Sequence, residues 1–472
     1  MATETLDTYN KALSINLDVT IFGTFAEIGA GQETARWFLR VGAASGTVAK
    51  TISAYDKVVS DALYGAGERY VSKQRLEAML SAEWSLLQEQ LVDRSSTTRT
   101  FVFANTVSAR NYAGTNQCHG WLGLRFLHDP ESEVNNILLH VNLRDATNMS
   151  QQEALGILGV NLIYAAYFQP KDHLHFLSVL GQDLGLDRIE IDFIETSGRL
   201  FDRWHTKDLF IGLVASGLSE GVVLPYACNY KPLNEAFYKV PVVIEPGRFE
   251  GRERIHTEML ATALERAHLE QSTETRKALG IFCLSATKME NTDTAAPLLS
   301  PVELSLRANS LLAEGFDVLV TIHQDLYRIS ALLSRFTTEP VRFVIGLSVL
   351  VKVLADSYTE LPGRVLQALS QLFTQNVRVY VYPMALGVLE TKLTPEQSTG
   401  WKISNTDELL EADEITPPPP LGHLYTYLLA SGLIEPLRLI KTRSDASSEV
   451  SLPLQGNKRV LASPSLDDTE VP

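Results

Sequence analysis

Four short apolar segments decide the fold: ALGIFCLSA at residues 278–286, FDVLVTI at 316–322, VRFVIGL at 341–347 and NVRVYVYP at 376–383. Each has the length and the β-branched content of a buried strand, and segments of helix length separate most of them. Short strands that alternate with helices indicate a parallel sheet covered on both faces. We therefore predict an α/β fold whose C-terminal unit contains a Rossmann-like, mostly parallel sheet.

The N-terminal part shows a different pattern. Residues 1 to about 90 read as helical, and three apolar runs at 100–107, 119–127 and 135–143 then read as consecutive strands. The apolar run at 151–168 is too long for a strand and predicts a buried helix. This part is expected to hold a mixed sheet.

The predicted division of the chain is an N-terminal α/β domain, a C-terminal Rossmann-like domain and a disordered tail, at residues 1–250, 251–440 and 441–472.

Composition limits the classes of partner. The 472 residues include 41 Lys plus Arg and 56 Asp plus Glu, for a net charge of -15. Such a charge repels nucleic acid and anionic membranes, so we expect neither as a partner. Three cysteines without metal-ligand spacing, and no secretory or membrane-spanning pattern, predict a soluble cytoplasmic protein without a metal site.

The segment FGTFAEIGAGQETARWFL, residues 22–39, is the first candidate site. A glycine-rich turn that opens a helix presents free amides and the positive end of the helix dipole, which together bind phosphate. The alternative is a tight turn ahead of a packed helix. The candidate ligand-binding residues are Gly23, Thr24, Gly29, Gly31, Gln32 and Arg36.

The second candidate is the polar stretch at residues 103–126. Asn105, Arg110 and Arg125 are candidates to bind an anion there, and His119 is a candidate proton-handling group together with Glu27. Ordinary hairpin-turn chemistry is the alternative for most of these residues.

Two other positions bear on a site. His323 follows a predicted strand, at the edge where parallel sheets bind ligands, and is a further candidate, although a loop histidine is the alternative. Asp192 and Glu195 are expected on the solvent face of a strand.

Two resemblances follow from these motifs. The core G-T-F-x-x-I-x-x-G at residues 23–31 is similar to the loop of nicotinate-nucleotide adenylyltransferases, where two histidines contact the phosphates; Gly29 and Gln32 stand at those positions here. The blocks GTFAEIGAGQE and CHGWLGLRF, with others over residues 8–440, resemble an uncharacterised bacterial family. Its members carry the names nicotinate-nucleotide adenylyltransferase or TonB-dependent receptor. The second name needs a signal peptide and a series of amphipathic membrane strands, and we expect neither.

Together these patterns favour a protein that binds a phosphate-bearing small molecule, with a nucleotide as the leading candidate and a nucleotidyltransferase-like reaction as the expected chemistry. The sequence does not identify a cofactor, and a homo-oligomer is expected. The alternative is a non-enzymatic, self-assembling scaffold or filament protein whose glycine-rich segments pack between subunits.

Overall fold

The computed structural model describes residues 6–91, 97–170, 172–251, 254–270, 276–288, 298–355, 358–374, 376–404, 409–419 and 421–438. Residues up to Leu437 form one compact unit. The tail predicted to be disordered, residues 441–472, lies outside the described residues.

The first half begins with a helix and contains six strands and seven α-helices in the described residues. The strands are β1 Ile21–Ile28, β2 Val48–Ile52, β3 Arg99–Ser108, β4 His119–Phe126, β5 Asn135–Leu143 and β6 Ile189–Ser197. The helices are α1 Thr8–Leu17, α2 Glu33–Val41, α3 Lys57–Tyr64, α4 Lys73–Gln90, α5 Asn148–Phe168, α6 His173–Leu180 and α7 Thr206–Ala215.

The second half repeats a strand–helix pattern. Its strands are β7 Gly221–Leu224, β8 Val242–Gly247, β9 Leu279–Ser285, β10 Asp317–Thr321, β11 Val341–Gly346, β12 Val377–Tyr382, β13 Lys402–Ile403, β14 Ile415–Thr416 and β15 Ile434–Pro436. Its helices are α8 Leu233–Ala236, α9 Arg254–Glu270, α10 Pro301–Leu312, α11 Leu326–Ser334, α12 Leu347–Leu354, α13 Arg364–Leu372, α14 Leu386–Lys392, α15 Pro395–Ser398 and α16 Leu421–Ala430.

The first sheet is mixed, as predicted. Its order is β2-β1-β3-β4-β5-β6. β1 runs parallel to β2 and β3, and β3 to β6 form an antiparallel meander. Helix α4 packs on one face, against Gly123 of β4, where a side chain would clash with Leu80. Helix α5 packs on the other face, where Tyr167 contacts the ring of Phe126.

The second sheet confirms the Rossmann-like prediction. Its order is β15-β12-β11-β8-β9-β10-β7, and all pairs are parallel except β7 with β10. If β8 is counted as the first strand, the order becomes 3-2-1-4-5-6 with β7 added at one edge, which is the doubly wound arrangement of dinucleotide-binding folds. The fold is therefore α/β, with a mixed sheet followed by a mostly parallel one.

The strands β7 and β8 belong to the second sheet although they precede residue 251. The C-terminal sheet thus begins at Gly221, while the division of the chain at residue 250 stays a prediction. A second difference concerns residues 1–90, which hold two strands besides helices. β1 and β2 form where the sequence was expected to be helical. β1 lies between β2 and β3 in the sheet, and Gly23 lets it approach Phe101 of β3, whose ring a Cβ would meet at 2.4 Å.

Candidate functional site

The N-terminus of α2 is occupied by a carboxylate of the protein itself. Glu27, on β1, is 1% exposed. Its Oε1 accepts a hydrogen bond from the Ala35 amide at 2.9 Å, and its Oε2 accepts one from the Thr34 amide at 3.2 Å. The side-chain amide of Asn105 donates to Oε2 at 3.0 Å. These helix amides are the groups that would otherwise bind an anion, so the predicted phosphate cradle is filled from within the chain.

Burial raises the pKa of Glu27 to about 7, although the hydrogen bonds from Ala35, Thr34 and Asn105 act in the opposite direction. The carboxyl group is therefore an N-terminal cap of α2 with an unusually high proton affinity.

The backbone conformation of the loop requires glycine at two positions. Gly29 and Gly31 have φ values of 98° and 76°, which favour glycine. A Cβ at Gly29 would lie 1.9 Å from the carbonyl oxygen of Val107, so no histidine fits where the adenylyltransferase loop has one. Thr24 is buried within β1, and Gln32 precedes α2 without a capping side-chain bond.

The arginines predicted as anion clamps do not converge. The guanidinium of Arg36 is exposed, pairs with Glu33 at 3.1 Å and lines a separate surface depression of about 320 Å³. Arg125 donates to Oδ1 of Asn136 at 2.7 Å. Arg125 is six residues from His119 along β4, so the two residues are about 20 Å apart. Arg110 lies exposed in the loop after β3, where its amide donates to Gln151.

The two predicted catalytic residues lie on opposite faces of the first sheet. Glu27 pairs with Asn105, which in turn pairs with Leu122 of β4. His119 is three residues from Leu122 and points to the other face. Glu27 and His119 therefore do not share a site.

His119 begins a chain of buried hydrogen bonds that the sequence did not reveal. Its Nδ1 is 3.0 Å from Nε2 of His140, and Nδ1 of His140 is 2.6 Å from Oδ1 of Asp192. His140 and Asp192 are both fully buried. The other carboxylate oxygen of Asp192 accepts the amide of Leu233 at 3.1 Å.

One arrangement of protons gives each contact of this chain a donor and an acceptor. In it, the carboxylate of Asp192 accepts from Nδ1 of His140, and Nε2 of His140 accepts in turn. Nδ1 of His119 must then be the donor, which leaves a lone pair on Nε2 of His119. Among the described residues none donates to that nitrogen. The arrangement presents an oriented proton acceptor.

A β-bulge makes the chain possible. The register of β5 with β6 shifts between His140 and Val141, so that Asp192 and Phe193 both fall opposite His140. Bulges re-aim side chains in this way. The expectation that Asp192 lies on a solvent face is thus wrong, because the extra residue turns its carboxylate into the sheet's covered face.

His119 lines a cavity of about 300 Å³. The cavity is bounded by residues of β4 and β5 on one side and by α8 and the end of α11 on the other. Further lining residues are Cys118, Asn142, Arg144, Asn234, Arg335 and Phe336.

The cavity contains unsatisfied amides. Asn142 lies directly opposite His119 in the sheet and is 8% exposed, yet its Nδ2 has no hydrogen-bond partner. Oδ1 of Asn234 is buried without one as well. A buried unpaired polar group costs about 1–3 kcal/mol, and such groups are concentrated where a ligand completes the bonding.

An ion cluster forms one wall of the cavity and joins the two sheets. Arg335 contacts Glu190 at 2.5 Å and Glu220 at 2.7 Å. Arg144 contacts Glu220 at 2.8 Å. The predicted ligand residue His323 lies in this cluster, with Nε2 3.9 Å from Glu220.

Burial and charge set the proton affinities of these groups. Burial, together with the neighbouring His140, lowers the pKa of His119 to about 4, so that its ring is neutral at pH 7. Burial opposes ionisation of Glu220, but the neighbouring His323 and Arg144 prevail and lower its pKa to about 2. Burial raises the pKa of Glu190.

Two further classes of site are not found in the described residues. There, no group of three or more His, Cys, Asp or Glu side chains is arranged to hold a metal ion. No helix in the described ranges combines the length and the apolar character that a membrane span requires.

No protein-family model matches the chain, and no curated protein matches it. Among solved structures, the competence/damage inducible protein CihA from Agrobacterium tumefaciens is 18% identical with a TM-score of 0.26, over 35% of this chain and 98% of that one. ComA from Klebsiella pneumoniae is 12% identical with a TM-score of 0.25, over 35% and 100% of the two chains. The competence or damage-inducible protein from Enterobacter asburiae is 13% identical with a TM-score of 0.24, over 34% of this chain and 96% of that one. These values are too low for any conclusion about the function of this chain.

Proposed function

We propose that this protein binds a small phosphate-bearing molecule, with nucleotides as the leading class, in the cavity beside His119, and that it catalyses a group transfer there. The observation that carries the proposal is the chain from His119 through His140 to Asp192, which ends at the ring of His119 on the wall of a cavity of about 300 Å³. Cavities of this size suit small molecules.

The role that we propose for His119 is that of general base. Nε2 removes the proton of an attacking hydroxyl or water, whose oxygen then attacks phosphorus, and the leaving group departs with the electron pair of the broken P–O bond. The positive charge that forms on His119 is stabilised through His140 by Asp192, because His119 donates a hydrogen bond to His140 and His140 donates one to Asp192. The side-chain amide nitrogen of Asn142, which has no hydrogen-bond partner in the protein, donates to the ligand.

The proposal places the ligand away from residues 23–36. The amides at the start of α2 already bind Glu27, so the glycine-rich loop has lost its anion cradle. The ring of His119 keeps the proton-handling role expected from the sequence, whereas Glu27 takes a capping role.

A thermal-shift panel tests the proposal and separates the two locations. Nucleotides, dinucleotides, nicotinate mononucleotide and sugar phosphates are added to the wild type, to Asn142→Leu and to Arg36→Ala. We expect a ligand-specific rise in Tm that Asn142→Leu loses and Arg36→Ala keeps. The reverse pattern would return the site to residues 23–36, and no shift with any compound would refute small-molecule binding.

A scaffold function is the second candidate, and one observation favours it. Residues 23–27 are buried within the protein, and the amides of Thr34 and Ala35 are bonded to Glu27 rather than free to line a pocket, as a structural role for this segment requires. Gly159 of α5, for example, approaches Thr34 so closely that a Cβ would lie 2.3 Å from its hydroxyl oxygen. These contacts are internal to the chain. Light scattering separates the candidates, because a large assembly that forms without ligand would support the scaffold.

A further inference from the structure

The proposed function leaves open which cation binds the phosphate. Two arginines line the cavity, but Arg335 is paired with Glu190 and Glu220, and Arg144 is paired with Glu220. Their charges are therefore balanced by carboxylates that are themselves largely buried. A dianionic ligand needs a further cation whose charge is not already neutralised within the protein.

Arg69 is such a cation. It lies exposed in the loop that connects α3 to α4. In the part of the chain that the structure describes, no carboxylate lies within ion-pair distance of its guanidinium. Its contact is with the ring of Tyr238, whose centre lies 5.9 Å from the guanidinium carbon. An aromatic face holds a guanidinium without neutralising it.

The loop is tied to the site at two points. The hydroxyl of Thr106 donates to the carbonyl oxygen of Tyr70, the residue after Arg69, at 2.5 Å. Thr106 pairs with Trp121, two residues from His119 and on the same face of β4. On the opposite side, Tyr238 follows α8, which supplies Asn234 to the cavity wall.

These two contacts place Arg69 beside the wall of the cavity, since Tyr70 is bonded to the sheet face that carries His119 and the ring of Tyr238 follows Asn234 by four residues. The charge of Arg69 also contributes, after burial and His140, to the lowered pKa of His119.

We propose that Arg69 is the anion-binding residue at the rim of the His119 cavity, and that it recognises a phosphate monoester through the paired N–H groups of its guanidinium. This inference rests on the proposed function. We expect a ligand with a terminal phosphate to bind far better than the same compound without it. We also expect a guanidinium, with its two parallel N–H donors, to be required rather than any positive charge.

The test compares Arg69→Gln with Arg40→Gln. Arg40 is a matched control, since it is also exposed and also lies 5.9 Å from an aromatic ring centre, that of Trp37 on α2. Affinities for adenosine monophosphate and inorganic phosphate are measured by isothermal titration calorimetry, and circular dichroism confirms folding. We expect at least a tenfold loss for Arg69→Gln, a partial loss for Arg69→Lys, and less than a twofold change for Arg40→Gln.

Two results would overturn parts of this account separately. If Arg69→Gln binds adenosine monophosphate as tightly as the wild type while Asn142→Leu does not, the role of Arg69 is wrong and the proposed site stands. If the wild type binds neither probe nor any compound of the panel, the proposed function fails, and the inference fails with it.

Discussion

Replacing Glu27 by glutamine should change how the stability of the protein depends on pH. Glu27 is buried at the start of α2, and burial raises its pKa to about 7 from the ordinary 4.5. A carboxyl group whose pKa is raised on folding stabilises the native state fully below its unfolded pKa and loses that contribution as pH rises through the folded value. The wild type therefore loses stability from this group between about pH 4.5 and 7.

The size of the effect follows from the same values. A rise in pKa from 4.5 to about 7 corresponds to roughly 3 kcal/mol of unfolding free energy, at about 1.4 kcal/mol per pKa unit. The amide introduced by Glu27→Gln does not titrate, so the unfolding free energy of this variant minus that of the wild type should grow by that amount as the pH rises from 4.5 through the folded pKa of Glu27.

Urea unfolding followed by tryptophan fluorescence, at several pH values, measures this difference. Glu33→Gln is the control, because it removes a carboxylate from the first turn of the same helix without touching the buried cap. If the wild type instead gains stability over the variant as the pH rises, the helix amides outweigh burial, and the reasoning about Glu27 is refuted.

Two further predictions concern packing and the histidine chain. Asp192→Asn should lower the unfolding free energy by about 2 kcal/mol, because an amide offers one acceptor where both His140 and Leu233 donate; denaturant unfolding checks this, and an unchanged midpoint would contradict it. Gly159→Ala should cost about 1–3 kcal/mol through overpacking against α2, whereas Gly46→Ala, with open space around it, should cost far less; equal midpoints for the two variants would show that α2 and α5 are not in tight contact.

The C-terminal sheet was predictable because its signal is local. Strands such as Leu279–Ser285, whose sequence LGIFCLS is apolar up to its last residue, read as expected for a strand covered on both faces. β1 and β2 gave no such signal. The sequence IFGTFAEI mixes glycine, threonine and glutamate with apolar residues, because Glu27 caps α2 and Gly23 must pass under Phe101.

The site was predictable only in part. His119 could be predicted as a site residue because it lies in the polar stretch at residues 103–126. Cys118, from the same stretch, also lines its cavity. His140 and Asp192 carry a signal that the sequence analysis did not use, because each is a titratable residue with an apolar residue on both sides of it in its strand. A regular alternation put Asp192 on a solvent face, and the bulge that reverses this depends on pairing with β5, which a single sequence does not show.

Nitrogen NMR of the imidazole of His119 tests the central claim most directly. In protein with ¹⁵N-labelled histidine at pH 7, we expect a neutral ring with the proton on Nδ1 and a lone pair on Nε2, the tautomer in which His119 donates to His140 and His140 donates to Asp192. Titration with adenosine monophosphate should then move the Nε2 resonance of His119, and His119→Gln identifies the signal. A proton on Nε2 in the free protein, or an Nε2 resonance that does not respond while the ligand binds, would contradict the role of His119 as the base at this site.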